Sequence, residues 1–185
     1  KNYFCYLVLF GYRNYQRATS LGNNPTMNIK GLIRTIPDYP KPGIQFRDIT
    51  TLLKDKDGLS ETINALLDIH GGESIDAIAG IESRGFIFGT ALAVAMEIGF
   101  IPIRKKGKLP SQTFQIEYQL EYGVDTLEIH VDALDKGQRV LVVDDLLATG
   151  GTASAAVDLV RRTGAVVAAT SFVVELPDLG GRNVL

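Results

Sequence analysis

The chain is poor in several residue types on which particular functions depend. It has one cysteine, two histidines and a formal net charge of −2 in 185 residues. A lone thiol, Cys5, cannot close an intramolecular disulfide, which fits a reducing compartment such as the cytoplasm. His70 and His130 show no metal-ligand spacing, so no protein-only metal cage is expected. Without a basic excess there is no broad positive field of the kind that holds duplex nucleic acid, although local basic clusters can still meet a small anion. The longest early apolar run, residues 3–10, is far short of the ~18 to 20 residues that span a bilayer. No membrane partner is expected.

What is present is the composition of one globular domain, with 45% hydrophobic and 22% charged residues. Residues 1–26 differ in texture from the remainder and are expected to be an extension outside the fold, with Met27 as a natural start. From 27 to 185 apolar runs alternate with amphipathic stretches in the βαβ manner, so the expected class is α/β. GLSETINALLDI (58–69) spaces Leu59, Ile63, Leu66 and Leu67 as one helical face. A strand is expected at 77–80, a helix at 86–98 and a strand at 100–104. The clearest unit is 138–162: an apolar strand RVLVV, a polar turn DDLLATGGT and a helix ASAAVDLVRR, followed by a strand at 165–174. The long segment 105–132, without an extended apolar run, is expected to form a hood over a site, with a surface β-hairpin as the plainer alternative.

In an open parallel sheet, ligands meet the carboxyl ends of strands and the helix N-termini that follow. The string 144–152 occupies such a place. Gly150 and Gly151 let backbone amides turn inward, Thr149 and Thr152 supply hydroxyls, and a helix begins at once; together these make an anion nest. Asp144 and Asp145 would repel a phosphate and suit a hydroxylated or cationic group, such as a ribose diol. The string is neither a Walker loop nor GxGxxG. In IESRGFIFG (81–89), Arg84 stands at a helix start, where a guanidinium fork suits a diphosphate; an ion pair with Glu82 is the bland alternative. IRKKGKLP (103–110) gathers Arg104, Lys105, Lys106 and Lys108 at a strand end, which suits a pyrophosphate better than a merely solvated surface.

VLVVDDLLATGGT (140–152) resembles the phosphoribosyl pyrophosphate motif of type I phosphoribosyltransferases, in the wording of the adenine-using members. The likeness extends over roughly 36–185 and includes DYPKPGIQFRDIT (38–50), IESRGFIFG, IRKKGKLP and YQLEYGVDTLEIH (118–130). It implies a central, mostly parallel sheet flanked by helices, with a flexible hood. It implies transfer of a phosphoribosyl group from phosphoribosyl pyrophosphate to adenine, with Mg²⁺ arriving on the substrate, in a homodimer.

Residue by residue, the resemblance implies that Asp144 and Asp145 hold the ribose hydroxyls. Ala148, Thr149, Gly150, Gly151 and Thr152 would cradle the 5′-phosphate, and Arg84, Arg104, Lys105 and Lys108 would meet pyrophosphate. Phe46 would stack on the purine while Gln45 and Arg47 contact its edge. Glu121 would be the acid/base and Tyr122 its neighbour on the hood. Hypoxanthine, guanine, xanthine or orotate as the base, or a regulator that binds without catalysis, are the alternatives. The chain ends about a dozen residues earlier than is usual in this family, which leaves open whether a last segment is absent.

Overall fold

The computed structural model describes residues 8–10, 28–119 and 123–185. The chain divides into two units, one of residues 1–12 with 66–185 and one of residues 13–65.

The larger unit is built on a seven-stranded sheet. Its strands are β1 (Val8–Phe10), β4 (Ala77–Ile81), β5 (Gly99–Lys105), β6 (Thr113–Gln119), β7 (Val124–His130), β8 (Arg139–Leu147) and β9 (Val166–Glu175). Their order is β1-β9-β8-β4-β5-β7-β6. The four middle strands, β9, β8, β4 and β5, are parallel, and β1 and β7 join them antiparallel at either side. A central parallel strand is covered on both faces and so reads as a continuous apolar run rather than an alternation. AIAGI of β4 is buried at all five positions, and Val140 to Val143 of β8 are fully inaccessible.

Helix α3 (Arg84–Ala95) links β4 to β5, and α4 (Gly151–Arg162) links β8 to β9. Helix α4 buries Ala153, Ala155, Ala156, Val157, Leu159 and Val160 and turns Asp158, Arg161 and Arg162 outward. Its alanines bring the helix axis close to the sheet, where Leu159 and Val160 join Val140, Val142, Ile103, Leu127 and Ile129 in the core. Truncating a core leucine of this kind costs about 2–5 kcal/mol.

Two boundaries differ from the sequence reading for identifiable reasons. The strand expected to stop at Val143 runs on to Leu147, because β9 pairs beside it, Asp144 with Phe172 and Leu147 with Glu175. The two aspartates are therefore strand residues, and the true turn is only 148–150. The helix expected over 86–98 ends at Ala95, where Glu97 takes a left-handed conformation (φ 58°). A glycine would have announced that stop; a glutamate does not. The segment read as a hood, 105–132, contains the antiparallel β6–β7 hairpin, which extends the sheet beyond β5 through the pairs Arg104–Glu128 and Lys105–Leu127.

The smaller unit holds the two-stranded antiparallel sheet of β2 (Arg34–Pro37) and β3 (Gln45–Asp48), followed by α1 (Thr50–Lys54). The two strands are tied at the open end of the hairpin by Arg34, whose Nε donates to its cross-strand partner Asp48 at Oδ2, 3.0 Å away. Asp48 Oδ1 accepts from the Thr50 amide at 2.9 Å, satisfying a donor at the start of α1. The helix expected over 58–69 is α2 (Lys56–His70), begun two residues earlier. There Asp55 Oδ1 accepts from the Gly58 amide at 2.7 Å. Among the described residues no helix is long and apolar enough to cross a membrane.

Candidate functional site

The carboxyl ends of β4 and β8 open into a cavity of about 270 Å³. Glu82, Ser83 and Arg84 line one side and the strand-turn-helix 144–153 another, with Lys105, Tyr118 and Asp125 completing the wall. Of the residues singled out in the sequence, Arg84, Lys105, Asp144, Asp145, Ala148, Thr149, Gly150, Gly151 and Thr152 all meet here.

At the cradle, Gly150 is the residue before α4 and has φ 89°, a left-handed conformation that any Cβ would strain. The first helical bond runs from the Ser154 amide to Gly150 O at 2.8 Å. The amides of the first turn have no carbonyl partner within the helix, and the helix dipole adds partial positive charge in the same place. Gly151 is close to another chain segment as well, since a Cβ there would lie 2.9 Å from Gln119 O.

Asp145 is 3% exposed, and its Oδ2 lies 3.1 Å from Arg84 Nε. That contact is an ion pair without hydrogen-bond alignment, and Oδ2 accepts no hydrogen bond among the described residues. Asp144 is half-buried and turns Oδ1 back to the Asp145 amide at 2.8 Å. Burial, and then the neighbouring Asp145, push the Asp144 carboxyl well above its ordinary value. Burial raises Asp145 as well, against the pull of Arg84. The adjacent pair thus resists full ionisation until a donor or cation reaches it. The ion pair considered in the sequence between Glu82 and Arg84 does not form; Arg84 turns to Asp145 instead.

Glu82 organises the opposite wall. Its Oε2 accepts from Arg104 Nε at 3.2 Å and from the Lys105 amide at 3.0 Å. Burial would raise this carboxyl, but those donors outweigh it and leave it below its ordinary value. Lys105 Nζ lies 3.0 Å from Asp125 Oδ2, and this partner raises the lysine above its ordinary value. The turn after β5 is held by Glu128, which is 2% exposed and accepts from the amides of Lys108 and Leu109, both at 2.8 Å. Arg104 donates to Lys108 O at 3.2 Å. Arg104 and Lys108 are thereby fixed beside the cavity and are not part of its lining.

Several contributors escaped the sequence reading. Glu82, Asp125 and Glu128 lie inside quoted strings but were given no part in holding the cations, because the partners described above stand 19 to 23 positions away. Tyr118, half-buried, lines the cavity together with Thr152. Gly85 lies where a Cβ would come 2.7 Å from Val143 O, so the start of α3 rests directly on the backbone of β8. Only its place inside IESRGFIFG hinted at that contact.

Gln45, Phe46 and Arg47 lie on β3 in the smaller unit. Phe46 is half-buried, with its ring edge-on to Tyr39 at 5.1 Å, and Arg47 donates to Thr35 Oγ1. Gln45 is exposed. Glu121 and Tyr122 lie outside the described residues. No group of three or more His, Cys, Asp or Glu side chains able to hold a metal occurs among the described residues.

Residues 45–178 match the phosphoribosyl transferase domain. The chain is 61% identical over 156 residues to an adenine phosphoribosyltransferase from Parvibaculum lavamentivorans, covering 84% of this chain and 89% of that protein. A crystal structure of adenine phosphoribosyltransferase from Thermoanaerobacter pseudethanolicus superposes with a TM-score of 0.83 at 50% identity, over 86% of this chain and 93% of that one. The Saccharomyces cerevisiae enzyme, complexed with an imino-altritol bisphosphate and adenine, superposes with a TM-score of 0.82 at 40% identity, with the same coverage of each.

Proposed function

The chain belongs to the phosphoribosyl transferase family, and from that premise we propose that it is an adenine phosphoribosyltransferase, transferring the phosphoribosyl group of phosphoribosyl pyrophosphate to adenine. The products are AMP and pyrophosphate, a purine-salvage reaction. The observation that carries this reading is the meeting, in one cavity, of a glycine-built anion cradle, an adjacent aspartate pair and two cations. These are the parts needed to hold, respectively, a 5′-phosphate, a ribose diol and a pyrophosphate.

The reaction breaks the bond from the anomeric carbon to pyrophosphate and forms one to a purine nitrogen, with positive charge building on the ribose ring. In this assignment the amides of 148–152 hold the 5′-phosphate. Asp145 Oδ2, which lacks a hydrogen-bond donor, accepts from a ribose hydroxyl, and Asp144 accepts from the other. Two adjacent carboxylates next to the ring also stabilise the developing positive charge. Arg84, Lys105 and the Arg104–Lys108 turn draw off the negative charge gathering on the leaving group. Glu121 moves the proton at the purine, Tyr122 neighbours it, and Gln45, Phe46 and Arg47 recognise the base.

The donor set also suits Mg²⁺ carried in by the substrate. Asp144, Asp145 and Asp125 supply carboxylates to the cavity but form no closed cage, so a cation would need oxygens from the donor. Bound there, Mg²⁺ would neutralise the pyrophosphate as it leaves. A homodimer is part of the same proposal, supported by α3, an almost wholly apolar helix that leaves Val94 74% and Ile87 41% exposed.

The test is pyrophosphate release with phosphoribosyl pyrophosphate and Mg²⁺, comparing adenine with guanine, hypoxanthine, xanthine and orotate. Release with adenine alone is expected, reduced by ~10² to 10⁴ in Glu121→Ala. Release with a different base would overturn the specificity, and donor binding without release would overturn the activity.

A further inference from the structure

We propose that Gly181 and the Arg182–Glu175 ion pair are positioning residues for the phosphate cradle, acting by pinning loop 148–150 in the conformation that receives the anion. The inference rests on the reading of 148–152 as that cradle.

Four observations converge on it. First, the chain leaving β9 is stitched to the strand that leads into the cradle, because the Leu176 amide donates to Leu147 O at 2.9 Å. Second, the short 3-10 turn Gly181–Val184 lies directly on the loop. A Cβ on Gly181 would stand 2.3 Å from Ala148 O and 3.0 Å from the Gly150 nitrogen. Third, the contact is reciprocal: a Cβ on Gly150 would stand 2.6 Å from Gly181 O and 3.1 Å from Val184 Cβ. Two backbones therefore touch with no side chain between them, and the left-handed Gly150 is the point of contact.

Fourth, the turn is anchored by a bidentate ion pair. Arg182 Nε donates to Glu175 Oε1 at 2.9 Å and its Nη2 to Oε2 at 2.5 Å. Glu175 is 5% exposed at the end of β9, in register with Leu147. A guanidinium fork fixes orientation as well as distance, which a single contact would not do. The arrangement fixes the loop from the C-terminal turns: β9 holds Glu175, Glu175 holds Arg182, and its neighbour Gly181 seats Ala148 and Gly150. The backbone amides of the cradle move with the loop that carries them, so displacement of the loop is felt directly as lost anion affinity.

The test uses the full chain and reads the two ends of the donor separately. With Arg182→Gln, the KM for phosphoribosyl pyrophosphate at saturating adenine is expected to rise about tenfold, while kcat and the KM for adenine stay within about twofold. By calorimetry, affinity for ribose 5-phosphate falls by a similar factor and affinity for inorganic pyrophosphate does not. Arg182→Lys, which keeps the charge but loses the fork, recovers part of the loss. Gly181→Ala gives the same pattern, and if Arg182→Gln fails to fold, Gly181→Ala and Arg182→Lys carry the measurement.

A folded Arg182→Gln protein with unchanged donor KM overturns the proposal, as does an equal loss of affinity for ribose 5-phosphate and pyrophosphate. Gly150→Ala separates this outcome from failure of the cradle reading. If it leaves ribose 5-phosphate affinity intact, the cradle itself is misassigned; if it abolishes that affinity while Arg182→Gln does not, only the pinning role falls.

Discussion

The two ends of the cavity handle negative charge by different means. At the 148–152 end the donors are backbone amides at the start of α4, and their placement is set by glycines that let main chain pack on main chain. At the 103–109 end the donors are side-chain cations, and each is held by a carboxylate: Arg104 by Glu82, Lys105 by Asp125, and the turn itself by Glu128. The first arrangement gains specificity from shape, through main-chain donors in fixed positions. The second gains it from charge and is adjustable, since a lysine can leave Asp125 for a better anion.

The largest expected break in that contrast is Gly150→Ala. Both the left-handed φ and the 2.6 Å approach to Gly181 O oppose a Cβ, and a displaced cradle should lower kcat/KM by about 10². Steady-state kinetics on the purified protein measures it. At the other end, Glu128→Gln keeps an acceptor oxygen but removes the charge that strengthens its bonds to the Lys108 and Leu109 amides. The expected result is a KM for the donor raised roughly tenfold, from two weakened hydrogen bonds that together lose about 1.4 kcal/mol, with ribose 5-phosphate affinity little changed. Equal loss of both affinities would erase the distinction between the ends.

Between them, Asp144→Asn should cut activity yet stabilise the unliganded fold. The folded carboxyl is raised above 3.8 by burial and by Asp145, so the folded state is penalised once the unfolded chain has lost its proton. That penalty is absent below about pH 3.8, grows as pH rises towards the folded value, and persists above it. Denaturant midpoints of wild type and variant should therefore separate as pH increases. A stability gap that shrinks with pH would reverse the argument.

A smaller effect concerns the β2–β3 hairpin. The Thr50 amide, with Arg34, holds Asp48 at about 2 rather than 3.8. The stabilisation is present above about pH 3.8 and disappears as pH falls through about 2. In Arg34→Ala the acid transition, followed by circular dichroism, should begin at a higher pH.

The backbone-built end was legible in the sequence because its information is local. DDLLATGGT places acids, hydroxyls and paired glycines within nine residues, next to an apolar strand and an amphipathic helix. Even there, the pairing of β8 with β9 overrode the polar appearance of Asp144 and Asp145, which lie in a strand and not a turn. The charge-built end was half legible. Its cations cluster in IRKKGKLP, but Glu82, Asp125 and Glu128 are brought to them by the sheet, across separations that no spacing rule spans. The β2–β3 hairpin was not foreseen, since four-residue strands with exposed positions give no periodic apolar signal.

The mutual contact of Gly150 and Gly181 also restricts how this sequence can change over time. Each glycine occupies the space a side chain on the other would need, and neither can be replaced first without disturbing both segments. Two positions 31 residues apart thus behave as one heritable unit, and a library that randomises either alone should return glycine at that position.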